Sequence, residues 1–506
     1  MVIAICFSMS LLRLAFIITD EKITTVAHTQ SKKSVVIGHS RGTIYDCKGR
    51  RLTNCDTQYF ACVPPSAKAV NAVRKYLSPE QENTLKSGYP VAVEVDKNFK
   101  SDKVEVVSIP RRYSQVAAHL IGYVDSLGKG VSGLEKGYDK LLCGEKIKVT
   151  FDIDATGAVI ANSQIADNLI TKQKGLKLTI DKSFQSICEN ALQDKCGAVV
   201  VLDNKTAKIK ALCSSPTFSQ YSIADALENE NSPFVFRAIS GYNCGSVFKL
   251  CVAACALNNG IDLKYECRGK IDVDGATFSC INAHGAVGMK EALAVSCNCY
   301  FVRLAQKVGA KNLLEFTKNL GFGSSLKLAS GIECSSGVLP TLKQLKNPTT
   351  LANFSFGQGS LLATPLQIAS VIQTICNDGK YVLPSLIEGE CDVNGALISS
   401  EKQNLPTYIL SKPTANTLLE YMVNAVQNGT GKGACVKNAK VGGKTATAQT
   451  GIYNAQGKNI YQTWFGGFLQ CDSGDYTIVV MVEDGSSGSK DCVPIFQKIA
   501  KSISQN

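Results

Sequence analysis

A serine and a lysine three residues apart, Ser246 and Lys249, stand at the start of an apolar stretch. The residues from Val247 to Leu257 are rich in Ala, Cys, Leu and Val, which predicts a buried helix, and the Asn-Asn-Gly sequence that follows predicts its end. Residues three apart on a helix face the same way. Burial disfavours the charged form of a lysine and lowers its pKa, so that it can take the proton from a serine hydroxyl. The pair is therefore a candidate nucleophile and base.

The spacing by itself is weak evidence, because it recurs by chance in a chain of 506 residues. Four further pairs share it: Ser126–Lys129, Ser324–Lys327, Ser399–Lys402 and Ser487–Lys490. Only Ser246 precedes a long apolar segment, where burying a lysine without a function would be costly. The surroundings, rather than the spacing, select Ser246 and Lys249.

Two other groups could complete such a site. Ser296 and Asn298 lie at a predicted break within a helical stretch and offer a hydroxyl and an amide. Lys444 and Thr445 precede a strand-like run, and a cation and a hydroxyl on a strand beside a cleft would bind a carboxylate. Both patterns recur elsewhere, at 504–506 and 205–207. Neither pattern is informative alone.

The order of the three groups is informative. S-x-x-K, then S-x-N, then K-T is the motif set of the penicillin-recognising acyl-serine enzymes. Over nearly its whole length the chain resembles a class B penicillin-binding protein, a monofunctional peptidoglycan D,D-transpeptidase. Further stretches carry the resemblance: RGTIYD at 41–46, AHLIGYV at 118–124, SGLEK at 132–136, FGQG at 356–359 and ATPLQ at 363–367.

The resemblance implies a role for each motif residue. Ser246 would attack the carbonyl of the penultimate D-Ala of a peptidoglycan stem peptide and expel the terminal D-Ala, while Lys249 takes the hydroxyl proton. Ser296 and Asn298 would pass the proton to the leaving amine and hold the donor peptide. An amine of a neighbouring stem peptide would then take the acyl group, and β-lactams would inhibit the enzyme. The resemblance implies no cofactor and no metal.

The third motif is implied to hold the substrate. Lys444 and Thr445 would bind its terminal carboxylate, and the backbone N–H groups of Ser246 and Thr447 would form the oxyanion hole. The family has Gly where this chain has Ala446. Glycine lets a substrate backbone approach a strand closely, so the methyl group is predicted to crowd the substrate and to tune the site without disabling it.

Composition limits the classes of partner. The chain has 54 Lys and Arg against 42 Asp and Glu, a net charge of +12, but no basic cluster interleaved with aromatic residues. The positive charge is therefore interpreted as a protein surface that faces a polyanion, and this interpretation is favoured over nucleic-acid binding. The chain has 45% hydrophobic and 19% charged residues, which is typical of a globular protein with two or three domains.

Residues 1–19 form one apolar run that just reaches the length of a membrane span. A cleaved signal peptide would have a basic start and a small-residue cleavage site, and neither is visible. An uncleaved single-pass anchor in the cell membrane is predicted, with the catalytic domain outside the cytoplasm. The missing basic flank leaves open a true start further upstream.

The chain has 21 cysteines, and they are scattered. No C-x-x-C occurs, so a zinc site is not predicted. The cysteines are interpreted as small packing residues of an exported protein in an anaerobic cell, where most thiols stay free and none binds metal. His119 and His284 are likewise interpreted as structural.

The predicted fold is α/β (α+β), with an antiparallel sheet covered by helices, since strands stand at both ends of the C-terminal part and helices between them. The resemblance makes this a five-stranded sheet with an all-helical subdomain. Strands are expected at 197–202 and 209–213, joined as a hairpin, and at 464–469 and 477–482, with a closing helix at 494–503 and an earlier helix capped by Asp181. Near the N-terminus, residues 41–54 are expected to form a short strand, a turn at Lys48-Gly49 and a second strand.

The predicted domains are the anchor at 1–19, an elongated mixed α/β pedestal at 20–170, and a transpeptidase domain at 175–506. No catalytic group is evident in the pedestal, whose polar residues are predicted to be solvated.

Two other functions remain open. A serine β-lactamase or β-lactam sensor shares the motifs, but usually lacks a large pedestal. A non-catalytic cell-wall scaffold is suggested by Ala446, although all the reacting side chains are present. The pedestal accounts for the segment before the transpeptidase, so the glycosyltransferase is expected to be a separate membrane protein of the SEDS type. The sequence decides neither the acceptor amine nor a role in elongation, division or sporulation.

Overall fold

The computed structural model describes residues 2–20, 32–114, 116–125, 128–152, 164–165, 173–453 and 457–505. The first element is helix α1 (Val2–Thr19). Among these residues, no helix combines the length and the hydropathy that a membrane crossing requires. The anchor therefore stays a prediction.

The N-terminal part is mixed α/β, as predicted. Its strands are β1 (Lys32–Arg41), β2 (Ile44–Tyr45), β3 (Asp56–Val63), β4 (Val91–Val95), β5 (Glu105–Arg111), β6 (Cys143–Asp152) and β7 (Gln164–Ile165). Its helices are α2 (Ala67–Val73), α3 (Pro79–Lys86), α4 (Ala118–Ile121), α5 (Gly133–Gly137) and α6 (Asp139–Leu142). Two antiparallel three-stranded sheets, β1-β6-β7 and β4-β3-β5, form its framework.

A buried ionic cluster holds this part together, and it corrects the prediction of solvated polar faces. The carboxylate of Glu135 lies 2.7 Å from Nε of Arg41 and 2.6 Å from Nη2 of Arg112. Arg41 also contacts Asp139 at 2.8 Å. The side chains of Arg41 and Glu135 are 3% and 1% exposed. The sequence did not reveal this burial, because the four charged residues come from three distant segments and neutralise one another only in the fold.

The C-terminal part carries the larger share of the elements. Its strands are β8 (Gly175–Leu178), β9 (Gly197–Asp203), β10 (Ile209–Ser215), β11 (Tyr265–Cys267), β12 (Lys270–Val273), β13 (Ala276–Ser279), β14 (Gly285–Val287), β15 (Leu326–Ala329), β16 (Ile332–Cys334), β17 (Lys380–Tyr381), β18 (Ile387–Cys391), β19 (Thr407–Tyr408), β20 (Lys440–Tyr453), β21 (Asn459–Cys471) and β22 (Gly474–Glu483). Its helices are α7 (Lys182–Leu192), α8 (Ile223–Leu227), α9 (Lys249–Asn258), α10 (Met289–Ala294), α11 (Asn298–Val308), α12 (Ala310–Asn319), α13 (Leu342–Leu345), α14 (Pro348–Ser355), α15 (Pro365–Cys376), α16 (Lys412–Gln427) and α17 (Gly488–Ser504).

The central sheet is five-stranded and antiparallel, in the order β10-β9-β22-β21-β20, as predicted. The β9–β10 hairpin and the strands near 464–469 and 477–482 were predicted from their apolar runs. The closing helix α17 begins six residues before the predicted Pro494. One face of the sheet packs on α7 and α17, and the other packs on α15 and α16. β20 is the edge strand, so alternate peptide groups on it face away from β21.

Helices α9 to α12 and α14 form a helical region, but it is not all-helical as predicted, because the two-stranded sheets β11-β14, β12-β13 and β15-β16 lie between these helices in the chain. Almost all of α9 is buried, from Lys249 to Ala256, and it contacts α11, α12 and α16. Its apolar residues belong to the same core cluster as Trp464 of β21. The helix that carries the candidate nucleophile is thus fixed on several sides.

The two parts are joined by pairing between their backbones. Strand β2 lies parallel to β8, with Ile44 opposite Leu176, in a sheet of order β18-β8-β2. The sequence predicted β2 and its turn, but the expected second strand of a hairpin is only a single bridge at Arg51. Asp181 caps α7 as predicted, accepting a hydrogen bond of 2.9 Å from the N–H of Ser183.

Candidate active site

Ser246 lies in a single 3₁₀ turn, Gly245–Phe248, that leads directly into α9. Gly245 has φ +54°, a left-handed conformation that favours glycine, and its N–H donates a 2.9 Å hydrogen bond to the carbonyl of Gly357. A Cβ atom at Gly357 would lie 2.1 Å from the oxygen of Gly245. The FGQG stretch therefore supports the turn that presents Ser246, which is partly exposed at the cleft.

Lys249 is the first residue of α9, one turn after Ser246, and is completely buried. Its Nζ donates hydrogen bonds to the carbonyl of Ser296 at 2.8 Å, to Oγ of Ser296 at 3.2 Å and to Oδ1 of Asn298 at 2.7 Å. Burial lowers the pKa of Lys249 to about 7, against the weaker opposing effect of nearby cysteines. A large fraction of the amine is therefore neutral at physiological pH and able to accept a proton.

The corner between α10 and α11 carries the second motif, at the break that the sequence predicted. Ser296 has φ +59°, which is rare for a residue with a side chain. Asn298 is the first residue of α11, and its Nδ2 donates a 2.9 Å hydrogen bond to the carbonyl of Ser279. The amide of Asn298 thus bridges the ammonium of Lys249 and the end of β13.

The third motif lies on the edge strand β20. The Lys444 side chain is completely buried, and its Nζ donates a 3.0 Å hydrogen bond to the carbonyl of Thr445. Burial, and then the charge of Lys249, hold the pKa of Lys444 well below its usual range. The hydroxyl of Thr445 lies 2.5 Å from that of Thr430, and both residues line the cleft. The side chain of Lys444 therefore lies behind the strand, and the hydroxyl of Thr445 lies on the side of the cleft.

Ala446 follows Lys444 and Thr445 on β20. Its side chain is on the same side of β20 as Lys444 and is 3% exposed, within the core cluster that includes Trp464. A Cβ atom built on Gly245 would lie 3.5 Å from that of Ala446. The methyl group packs mainly behind the strand, against the turn of Ser246, although Ala446 is also one of the residues that line the cleft. We therefore expect less crowding of the substrate than the sequence predicts.

A cleft of about 760 Å³ connects the three motifs. Five of the predicted site residues line the cleft: Ser246, Ser296, Asn298, Thr445 and Thr447. A sixth, Lys249, is buried behind them. The sequence did not indicate the hairpin β12–β13, whose residues 277–281 form one wall, nor Thr430 and Tyr461. No local pattern marks them, because they reach the cleft only through long-range packing.

The other Ser/Lys pairs differ from Ser246 and Lys249 in burial. Lys327, Lys402 and Lys490 are exposed, so their amines keep full solvation. Ser126 lies outside the described residues. Within the described part of the chain, only Lys249 of these lysines is buried, which agrees with the choice made from the apolar context.

The geometry is that of serine acyl transfer. A partly exposed hydroxyl stands one turn from a buried amine of lowered pKa, and the amine is held by a second hydroxyl and an amide. Facing them is an edge strand with a threonine hydroxyl and exposed peptide groups, which suits a carboxylate and a developing oxyanion.

Comparisons with known proteins agree with this chemistry. The model of the penicillin binding protein transpeptidase domain matches residues 197–501. The chain is similar to penicillin-binding protein PbpB of Mycolicibacterium smegmatis, with 32% identity over 420 residues that cover 77% of this chain and 63% of that protein. It is also similar to stage V sporulation protein D of Bacillus subtilis, with 27% identity over 513 residues that cover 92% of this chain and 78% of that protein.

Solved structures have the same fold. Penicillin-binding protein 3 of Mycobacterium tuberculosis, complexed with aztreonam, matches with a TM-score of 0.68 and 23% identity, over 94% of this chain and 96% of that one. A chain from a peptidoglycan synthase complex matches with a TM-score of 0.73 and 20% identity, over 100% of this chain and 98% of that one.

Proposed function

This chain belongs to the penicillin-binding protein transpeptidase family, and we propose that it is a peptidoglycan D,D-transpeptidase that works through an acyl-enzyme on Ser246. The observation that carries the assignment of Ser246 is the buried Lys249 one turn away, held by Ser296 and Asn298. Among the described serines that have a lysine three residues later, Ser246 is the one whose partner lysine is buried.

The reaction begins with deprotonation of Ser246. The neutral amine of Lys249 takes the hydroxyl proton while Oγ attacks the carbonyl of the penultimate D-Ala. The N–H groups of Ser246 and Thr447 stabilise the tetrahedral oxyanion. Collapse of this intermediate breaks the peptide bond, and the terminal D-Ala leaves as an amine that receives a proton through Ser296. The product is an ester between the donor stem peptide and Ser246.

The second half of the reaction reverses these roles. The amine of an acceptor stem peptide attacks the ester carbonyl, loses its proton to the same base, and displaces Ser246. The terminal carboxylate of the donor is bound at the edge strand by the hydroxyl of Thr445, beside Thr430, and Lys444 supports the strand from behind. β-Lactams acylate the same serine, and the mycobacterial structural relative is a complex with one of them.

The membrane context rests on two observations. Helix α1 exposes large apolar side chains such as Ile3 and Phe7, 86% and 66% exposed, which suit a single-pass anchor in the cell membrane. Peptidoglycan lies outside that membrane, so the catalytic domain is extracytoplasmic. A separate SEDS-type glycosyltransferase supplies the polymer, because the part of the chain before the transpeptidase domain is accounted for by the pedestal.

Labelling with a fluorescent penicillin tests the proposal. The purified full chain is treated with the label, digested, and mapped by mass spectrometry, which should place the adduct on Ser246. Ser246→Ala should abolish labelling, and the matched control Ser324→Ala, in an exposed pair of the same spacing, should leave it unchanged. An adduct on another serine, or full labelling of Ser246→Ala, would refute the assignment.

The lifetime of the adduct separates the alternatives. A transpeptidase holds the penicilloyl ester for much longer than a catalytic cycle, whereas a β-lactamase releases it rapidly. Incubation with a D-Ala-D-Ala stem peptide should release D-Ala and, with an acceptor amine, form a cross-linked dimer. Absence of both labelling and D-Ala release from folded protein would favour the scaffold.

A further inference from the structure

Four potential metal ligands converge beside the second motif. Cys267 ends β11, Cys280 follows β13, His284 precedes β14, and Cys297 caps the N-terminus of α11. Their sulfur and nitrogen atoms all lie within 4.8 Å of one another. No C-x-x-C occurs in the sequence, so a zinc site is not predicted from it, and His284 is interpreted there as structural. The fold brings the four side chains together from separate segments.

Their separations match a tetrahedral site. The sulfurs of Cys267 and Cys280 are 3.9 Å apart, those of Cys280 and Cys297 are 3.8 Å apart, and Cys267 Sγ is 3.5 Å from Nδ1 of His284. A tetrahedral zinc ion with Zn–S bonds of about 2.3 Å and a Zn–N bond of about 2.0 Å spaces two sulfurs about 3.8 Å apart, and sulfur and nitrogen about 3.5 Å apart. Three of the six ligand pairs therefore have the separations of a tetrahedral site, and the other three pairs lie within 4.8 Å.

The backbone holds these ligands in place. The N–H of His284 donates a 3.1 Å hydrogen bond to the carbonyl of Cys267, and the N–H of Cys280 donates one of 2.8 Å to Gly269. The N–H of Tyr300 lies 3.4 Å from the sulfur of Cys297, at the start of an eleven-residue helix. N–H groups directed at sulfur and a helix N-terminus both stabilise thiolates, which are the form that binds zinc.

We infer that Cys267, Cys280, His284 and Cys297 bind one structural zinc ion. Three thiolates and an imidazole form a complete tetrahedral set with no open position, which is typical of structural rather than catalytic zinc. Soft thiolate ligands favour zinc over magnesium or calcium. Cys299, whose sulfur is 3.4 Å from that of Cys280, is a fourth thiol that lies outside the set.

The position of the ion gives it a function. Cys297 stands between Ser296 and Asn298, while Cys280 and His284 line the same cleft as Ser246. The ion ties the wall formed by the β12–β13 hairpin to the corner that holds Lys249. It thereby stabilises the left-handed conformation of Ser296 and the hydrogen bond from Asn298 to Ser279. The zinc ion therefore positions the residues of the second motif and does not contact the substrate.

Metal analysis of the full chain, purified without oxygen, tests the inference. Inductively coupled plasma mass spectrometry should find about one zinc ion per chain. Cys280→Ser and His284→Ala should each lose most of it, and Cys255→Ser, a buried thiol on α9 outside the cluster, should keep it. Protein that holds no zinc as purified and takes up none when Zn²⁺ is added would overturn the site.

Cobalt provides a readout that does not depend on the variants folding. Co²⁺ added to metal-free wild-type protein should give the thiolate charge-transfer and tetrahedral absorption bands of a Cys₃His site. The absence of these bands would overturn the inference. If Cys299→Ser lost its zinc while His284→Ala kept it, the fourth ligand would be Cys299 instead of His284. That result would overturn the set of ligands proposed here.

Stability and labelling show what the ion does. A zinc chelator should lower the unfolding temperature and slow penicillin labelling of wild-type protein, and added Zn²⁺ should restore both. Ser246→Ala should keep its zinc although it cannot be labelled, so that metal binding and acyl transfer are judged separately. Unchanged labelling and unfolding in protein freed of zinc would refute the positioning role.

Discussion

Lys249 Nζ lies 2.7 Å from Oδ1 of Asn298, and this hydrogen bond joins the first and second motifs. The oxygen accepts from the amine in its charged and its neutral form, because both keep N–H donors. The bond therefore fixes where the amine lies while burial sets how readily it is protonated. Position and basicity of the base are controlled by different features of the fold.

Acylation should depend on pH through Lys249. Burial lowers its pKa to about 7, and only the neutral amine accepts a proton, so the second-order rate of penicillin labelling should rise with pH and level off above neutrality. Below that pKa the rate should fall about tenfold per pH unit. Stopped-flow fluorescence between pH 5.5 and 9 would measure the profile.

The profile should disappear when the base is replaced. Lys249→Arg keeps the positive charge but has no accessible neutral form, and the rate should drop by a factor of about 10²–10⁴ at every pH. Lys327→Arg, in an exposed Ser/Lys pair, is the matched control and should be neutral. A rate in Lys249→Arg that keeps the wild-type rise near neutrality would assign the base elsewhere.

Asn298→Asp should raise the pKa of Lys249. A carboxylate in place of the amide oxygen, 2.7 Å from Nζ, favours the charged amine. The rise of the acylation rate should therefore move to higher pH, with a loss at neutrality and recovery in alkaline solution. Asn298→Ala is the comparison, because it removes the hydrogen bond without adding charge. A profile that stays in place in Asn298→Asp would contradict the coupling.

Ala446→Gly should affect stability more than acylation. The methyl group is buried behind β20, and losing it and adding a glycine to a strand should lower the free energy of unfolding by about 1–2 kcal/mol. Labelling rates for small and bulky β-lactams should change together and by less than about threefold, equivalent to under 1 kcal/mol. Ala448→Gly, on the same side of the strand, should behave alike. A selective gain with bulky β-lactams would restore the crowding predicted from sequence.

Glu135→Gln should destabilise the N-terminal part. It leaves Arg112 without its counter-charge, while Arg41 keeps Asp139, and this should lower the free energy of unfolding by about 3–5 kcal/mol. Glu94→Gln removes a half-exposed partner of Arg111 and should change it by less than about 1 kcal/mol. Denaturant unfolding followed by circular dichroism would measure both. Equal effects would mean that the buried cluster contributes no more than a surface pair.

The sequence determined the parts of this protein that depend on neighbouring residues. The apolar run after Ser246 specified a buried helix, and burial of Lys249 followed from its place in that run. Alternating and continuous apolar runs specified the strands of the central sheet, and Asp181 specified a helix start. The order of the three motifs specified the chemistry, because each residue type carries its own reactivity wherever the chain places it.

Only the tertiary structure decided which distant side chains meet. Arg41, Arg112 and Glu135 look like surface charges in the sequence, yet the fold buries them together. The direction of the methyl group of Ala446 followed from the packing of β20 against the turn of Ser246. The cysteines around His284 look like packing residues until four segments converge. Contacts of this kind depend on long-range packing, whose geometry no local pattern of residues encodes.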